Sequence, residues 1–249
     1  MSIQSQIAVN KTKTYVIMTG FVVFIVLVSY VLGVALGYGS SWIWIGVLIS
    51  SVASIGSYYW GDKMVLAMSG AKPADRKRDF DFFTVAENLA IAAGLPKPKL
   101  YIIEDTAMNA FATGRDPEHA VVCATTGILE RLERRELEGV IAHELSHIKN
   151  FDTRLLAVVA VLVGSVAFLA DMFMRSLWWG GGRRNNDNED RGLGQIVMIA
   201  GIILAIISPI IATLIQLAIS RHRELLADAS GVYLTRNPEG LARALEKLS

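Results

Sequence analysis

Tyr15 to Leu36 is a run of 22 residues without a charged side chain. Wound as a helix it is about 33 Å long, enough to cross a hydrocarbon layer of roughly 30 Å, so part of this chain must be solvated by lipid. Lys11 and Lys13 precede the run as they would in a cleaved secretory leader. The apolar core of such a leader stops at about 15 residues, however, and the length predicts an anchor. Trp42 to Trp60 follows after the uncharged loop Gly37 to Ser41; its 19 residues reach about 28 Å and carry tryptophan at both ends. Together the runs predict a transmembrane helical hairpin over residues 15–60, preceded by a cytoplasmic tail, 1–14. The composition agrees: 53% hydrophobic and 19% charged over 249 residues, with a mean hydropathy of +0.42, lies off the balance of soluble domains. A net charge of +1 gives no electrostatic reason for a nucleic-acid partner.

Two further apolar runs lie downstream. Leu155 to Ala170 has 16 uncharged residues and approaches a full span only by continuing past Asp171 to Met174. Ile196 to Ser220 is also uncharged, and Pro209 inside it predicts a bend. The segment between them, rich in Gly, Asn and alternating charges, predicts a flexible loop over 175–194. Lys11, Lys13 and Lys63 flank the hairpin, while its loop has no charge, so the polar segment Gly61 to Arg154 is expected on the cytoplasmic side. Arg175, Arg183, Arg184 and Arg191 run against that bias if both later runs cross.

In the polar segment, Phe82, Val85, Leu89 and Ala92 recur at helical spacing before Gly94, predicting an amphipathic helix with a glycine stop. Leu100 to Ile103 and His119 to Ala124 read as strands separated by a turn-rich stretch, Asn109 to Asp116, and Thr125 or Thr126 caps the next helix. The single cysteine, Cys123, falls in an apolar run and reads as a buried strand residue. From Arg134 onward Leu137, Val140, Ile141, Leu145 and Ile148 form a helical stripe ending near Asn150.

That last helix carries His143, Glu144, Leu145, Ser146 and His147, an HExxH motif. Histidines four apart lie about 40° from each other around a helix, so both imidazoles can address one ion. Glu144 can reach the open coordination position, where it would take a proton from a water that zinc polarises. A catalytic zinc needs one more protein ligand. His119 and His222 are candidates, as are Glu224 and Asp228, which share a helix face four apart: one of them can bind metal while the other holds a histidine ring. We favour Glu224 as the ligand. Any choice after the last run requires that the third and fourth runs cross an even number of times.

VIAHELSHIKN around the motif, SRHRELLAD from Ser220 to Asp228 and NAFATG from Asn109 to Gly114 together resemble the HtpX-type membrane zinc metalloproteases, relatives of the CAAX prenyl protease, over nearly the whole chain. The resemblance implies an α+β, mostly helical, integral membrane protein: an amino-terminal transmembrane hairpin, two further apolar helices within 154–220, and a small gluzincin-like catalytic domain with a short β-sheet, assembled from residues 61–153 and 221–249. It implies one Zn²⁺ per subunit on His143, His147 and Glu224, Glu144 as general base and then proton donor to the leaving amine, and Asp228 supporting the site. Asn109, Ala110, Phe111, Ala112 and Thr113 would form an edge strand to which an extended substrate adds its backbone. The implied role is hydrolysis of misfolded or damaged membrane proteins in the bacterial inner membrane, as quality control under stress, with a cytoplasmic active site, frequent self-cleavage and functional overlap with the ATP-dependent protease FtsH. Family members run further at the carboxyl end and include a Thr-His-Pro stretch. This chain stops at Ser249, so a truncated chain is expected, one that binds zinc yet turns over slowly, with the oxyanion-stabilising residue unassigned. His222 is the one substitute on offer, and its neighbours Arg221 and Arg223 favour an interfacial role instead.

Two rival readings make other demands. An intramembrane site-two protease would place HExxH inside an apolar helix, whereas Arg134, Arg135, Glu136 and Glu138 precede this motif and Lys149 and Asp152 follow it. A catalytically inactive scaffold or transporter, for which Asp171 in a span would be a marker, would hold a structural zinc with four ligands, usually including cysteine.

Overall fold

The computed structural model describes residues 3–35, 40–180 and 221–248. Two long helices come first, α1 (Ile3–Ala35) and α2 (Trp42–Met68). Within them Ile7–Tyr30 and Ile43–Met68 are long and apolar enough to cross a membrane. Both helices outrun the uncharged segments. Residues 3–14, in the segment expected as a cytoplasmic tail, are helical, and α2 continues past Trp60 because Asp62 and Lys63 do not break a helix. The stop comes at Gly70, whose φ of 64° suits glycine.

The polar part is a four-stranded sheet with its own helices on one face and the end of α2 on the other. The strands are β1 (Lys72–Pro73), β2 (Lys99–Ile103), β3 (Ala110–Thr113) and β4 (Val121–Thr125), in spatial order β1-β2-β4-β3. β2 and β4 run parallel, and β3 closes the far edge antiparallel to β4, with Ala110 opposite Ala124 and Ala112 opposite Val122. β4 is buried throughout. Val122 and Ala124 join Phe82, Val85 and Leu89 of α3 (Phe80–Ala93) and Ile141, Leu145 and Ile148 of α5 (Arg134–Lys149) in the main core, while Val121 and Cys123 pack with Leu66 on the other face. Burial pushes the Cys123 thiol up to about 12, so it stays protonated and inert. Gly94 ends α3 at φ 69°, as the sequence predicts. Thr125 Oγ1 accepts from the Ile128 amide at 3.3 Å, capping the short helix α4 (Thr126–Arg131).

The strand expected over 119–124 starts later. Asp116 accepts the His119 amide at 2.8 Å and folds Pro117–His119 into a 3₁₀ turn. The Asn109–Asp116 stretch, turn-rich by composition, is strand over Ala110–Thr113 because β4 pairs with it.

After α5 the chain turns by 80° into α6 (Asp152–Gly180). This helix continues past Asp171, and residues 175–180, expected as the start of the loop, remain helical because no glycine interrupts Ser176–Trp179. The rest of that loop and the fourth apolar run, with Pro209, lie outside the described residues. Two helices complete the polar part, α7 (Arg221–Thr235) and α8 (Pro238–Leu248). The chain divides into two compact units. One gathers Met1–Tyr15, Tyr58–Val158 and the carboxyl-terminal helices; the other includes Val16–Ser57.

Candidate metal centre

α5 is held in place at both ends. At its start the Glu136 carboxylate, 3% exposed, accepts the Glu133 amide at 2.8 Å and the Lys247 ammonium of α8 at 2.6 Å. That ammonium holds the Glu136 carboxyl below its usual range. At its end Phe151 adopts φ 59°, turning the chain sharply enough to return Asp152 towards α5. Leu137, Ile141, Leu145 and Ile148 face the core, which leaves His143, Glu144 and His147 on the side met by α7 and β3.

α7 comes close because its facing residues include Ala227 and Gly231. A Cβ on Gly231 would lie 3.1 Å from the His143 amide nitrogen. One and two helical turns earlier on the same face, Asp228 and Glu224 fall beside the two histidines. Glu224 Oε2 is 3.5 Å from His143 Nε2 and 3.7 Å from His147 Nε2, and the two Nε2 atoms are 3.1 Å apart. A point equidistant from three atoms so spaced is about 2 Å from each, the length of a Zn–N or Zn–O bond. Among the described residues this is the group of histidine and carboxylate side chains that can share an ion. Its N₂O donor set suits zinc or another first-row divalent cation.

Each ring's second nitrogen is also engaged. His143 Nδ1 is 2.8 Å from Asp228 Oδ1 and His147 Nδ1 is 3.0 Å from Asp152 Oδ2, the carboxylate–histidine pairing that fixes a ligand's tautomer and aim. The pocket is rich in negative charge. Burial alone would push the His147 imidazole down, but Asp152, Glu224 and Glu144 outweigh it and hold it up at about 10; a bound cation takes the place of that proton. Pairing with His147 keeps the Glu224 carboxyl below its usual range. Burial pushes the Glu144 carboxyl up, against the pull of both histidines and the Ala112 backbone amide that hydrogen-bonds it.

That last contact brings β3 to the site. Asn109 accepts the Thr125 amide across the β3–β4 ladder at 3.0 Å. By the alternation of an antiparallel pair, Phe111 and Thr113 also turn their peptide groups inward, while Ala110 and Ala112 turn theirs to the free edge.

The structure thus brings together His143, Glu144, His147, Glu224 and Asp228, with the strand containing Ala110, Phe111, Ala112 and Thr113 alongside. Neither alternative histidine joins them. His119 is exposed and engaged by Asp116, and His222 is exposed at the start of α7. Sequence reasoning overlooked Asp152. The visible signal was an acidic residue directly after the Asn150-Phe151 helix stop.

A model of peptidase family M48 matches residues 77–249. The chain is 44% identical over 247 residues to a protease HtpX homolog of Caldanaerobacter subterraneus subsp. tengcongensis, an alignment covering 97% of this chain and 81% of that protein. It is 45% identical over 246 residues to one from Ligilactobacillus salivarius, with 98% and 83% covered, and 46% identical over 259 residues to one from Listeria monocytogenes serovar 1/2a, again with 98% and 83% covered.

Proposed function

The chain belongs to peptidase family M48 and is a membrane-bound metalloprotease, and from that premise we propose that it is an endopeptidase working with one zinc ion held by His143, His147 and Glu224. The observation that carries this reading is the convergence of three donor atoms, separated by 3.1, 3.5 and 3.7 Å, around one point. When bound there, zinc supplies Lewis acidity, acidifying a water and polarising the scissile carbonyl. Glu144 accepts the water's proton and returns it to the leaving amine; its raised affinity for protons suits both roles. Asp228 and Asp152 hold the two rings in the tautomer that leaves Nε2 free to bind.

The outward Ala110 peptide group and the Ala112 carbonyl take an extended substrate as an added strand, the Ala112 amide being held by Glu144, with Asn109, Phe111 and Thr113 keeping β3 on β4. Recognition through backbone accepts unrelated sequences, which favours unfolded polypeptides as substrates, above all misfolded or damaged membrane proteins, a pool that would overlap FtsH's. The flanking charges Lys11, Lys13 and Lys63 support a site facing the cytoplasm at a bacterial inner membrane.

The purified chain in detergent is expected to cleave casein, to lose that activity on exhaustive chelation, and to regain it with about one equivalent of zinc. Proteolysis that survives complete metal removal would contradict the reading. Recovery with another divalent ion but not with zinc would overturn the choice of metal.

A further inference from the structure

Asn10 lies on α1, five residues before the first uncharged run, and is 1% exposed. Its carboxamide nitrogen donates to the Asn150 carbonyl at 2.9 Å and to Asp152 Oδ1 at 2.7 Å. Both partners are acceptors, so the nitrogen is the atom that must face them. The two bonds bracket Phe151, whose left-handed φ of 59° is one that a bulky residue keeps only where its surroundings hold it. Lys11 and Arg154 help to do so, lying over the Phe151 ring at 4.3 and 4.8 Å from its centroid.

The same turn delivers Asp152 to the metal centre. Asp152 is 1% exposed, and its two oxygens are divided: Oδ2 faces His147 Nδ1 at 3.0 Å, while Oδ1 takes Asn10 and lies 3.4 Å from Arg223 Nε. A carboxylate so buried cannot draw replacement donors from water. Without the carboxamide, the Asn150 carbonyl and Asp152 Oδ1 each lose a partner, and the turn between them loses its brace.

We propose that Asn10 is a positioning residue of the metal centre: it braces the Asn150–Asp152 turn so that Asp152 holds the His147 ring with Nε2 aimed at the ion. The proposal rests on the reading of His143, His147 and Glu224 as ligands. It gives the first helix a part in the site besides anchoring, since a catalytic segment beginning after α1 lacks this brace.

The test is zinc affinity, read by competition with a chromophoric chelator at one pH in the chain of residues 1–249. Asn10→Leu, similar in size but without a donor, is expected to weaken binding about tenfold, within the range for residues that support a ligand. Asp152→Asn, which keeps an oxygen for His147 but presents an N–H where Asn10 donates and so cannot accept from it, should weaken it by a similar factor or more. In that background Asn10→Leu should add less than about twofold, whereas a merely structural role for Asn10 would give penalties that multiply. Unaltered affinity in Asn10→Leu, or multiplying penalties in the double variant, overturns the proposal. If Asn10→Leu is not recovered folded, Asn10→Ser, with one donor left, should weaken binding about threefold, and an unaltered value there is equally decisive. A wild-type chain that binds no zinc overturns the ligand reading and this proposal with it; a binding wild type beside an unaltered Asn10 variant overturns this proposal alone.

Discussion

His143 Nδ1 lies 2.8 Å from Asp228 Oδ1, across the interface of two helices and 85 residues of chain. The contact separates the two acids of α7, because Asp228 takes the Nδ1 of His143 while Glu224 faces the Nε2 atoms of both histidines. Asp228→Ala is therefore expected to keep the ligand set but loosen it, weakening zinc binding about 10- to 100-fold. Chelator competition measures this; an unaltered affinity would mean that the contact does not orient His143.

Glu144 lies outside the group of three donors that can share an ion, and the role proposed for it is proton transfer. Glu144→Gln is expected to lower casein cleavage by about 10²- to 10⁴-fold, the usual contribution of a positioned acid or base, while zinc content stays close to wild type. Side-by-side elemental analysis and proteolysis separate the two effects. Retained cleavage would remove Glu144 from the mechanism.

The free edge of β3 can be blocked without cutting its ladder. Ala110 turns its amide away from β4, so Ala110→Pro gives up no sheet bond, as proline tolerates at an edge. Casein cleavage should fall at least about tenfold with zinc content unchanged, because the added substrate strand loses a donor and meets the ring. Equal cleavage by the variant would show that substrates bind elsewhere.

Close packing of α7 on α5 sets the position of Glu224, the proposed third ligand. At Gly231 a Cβ already meets the His143 backbone at 3.1 Å, so Gly231→Val must push the helices apart, at about 1–3 kcal/mol of overpacking. Weaker zinc binding together with a lower unfolding temperature is expected. Thermal unfolding with and without zinc reads both.

The Glu136–Lys247 pair gives stability a pH dependence. Lys247 holds the Glu136 carboxyl below its unfolded value, so its contribution is complete above the ordinary glutamate pKa and disappears as the pH falls through the lowered one. Lys247 is 40% exposed, which limits the contribution to about 1 kcal/mol. Glu136→Gln should lower the apparent unfolding temperature at pH 7, by an amount that shrinks as the pH falls below the ordinary glutamate pKa and through the lowered one. A penalty that is constant with pH would contradict the ion pair.

Much of this architecture is legible in local patterns. The uncharged runs announce α1 and α2, the Phe82–Ala92 spacing and Gly94 announce α3, and the apolar stripe of α5 carries HExxH on its other side. The features that sequence leaves unresolved depend on chain segments meeting. Glu224 and Asp228 look alike on a helix face, and only the approach of α7 at Ala227 and Gly231 separates their partners. Ala110–Thr113 reads as turn by composition, and only the resemblance of NAFATG to an edge strand points to the strand that pairing with β4 makes of it. Asp152 looks like a polar residue after a helix until Phe151 turns it back on His147. Asn10, 142 positions from Asp152, carries no local signal at all.

In the proposed site Glu224 completes a set of three ligands with His143 and His147. Elemental analysis of purified wild-type chain beside Glu224→Ala checks this without relying on activity. About one zinc per wild-type chain and a large loss in the variant under the same buffer are expected; a Glu224→Ala chain that keeps its full equivalent of zinc would remove Glu224 from the ligand set.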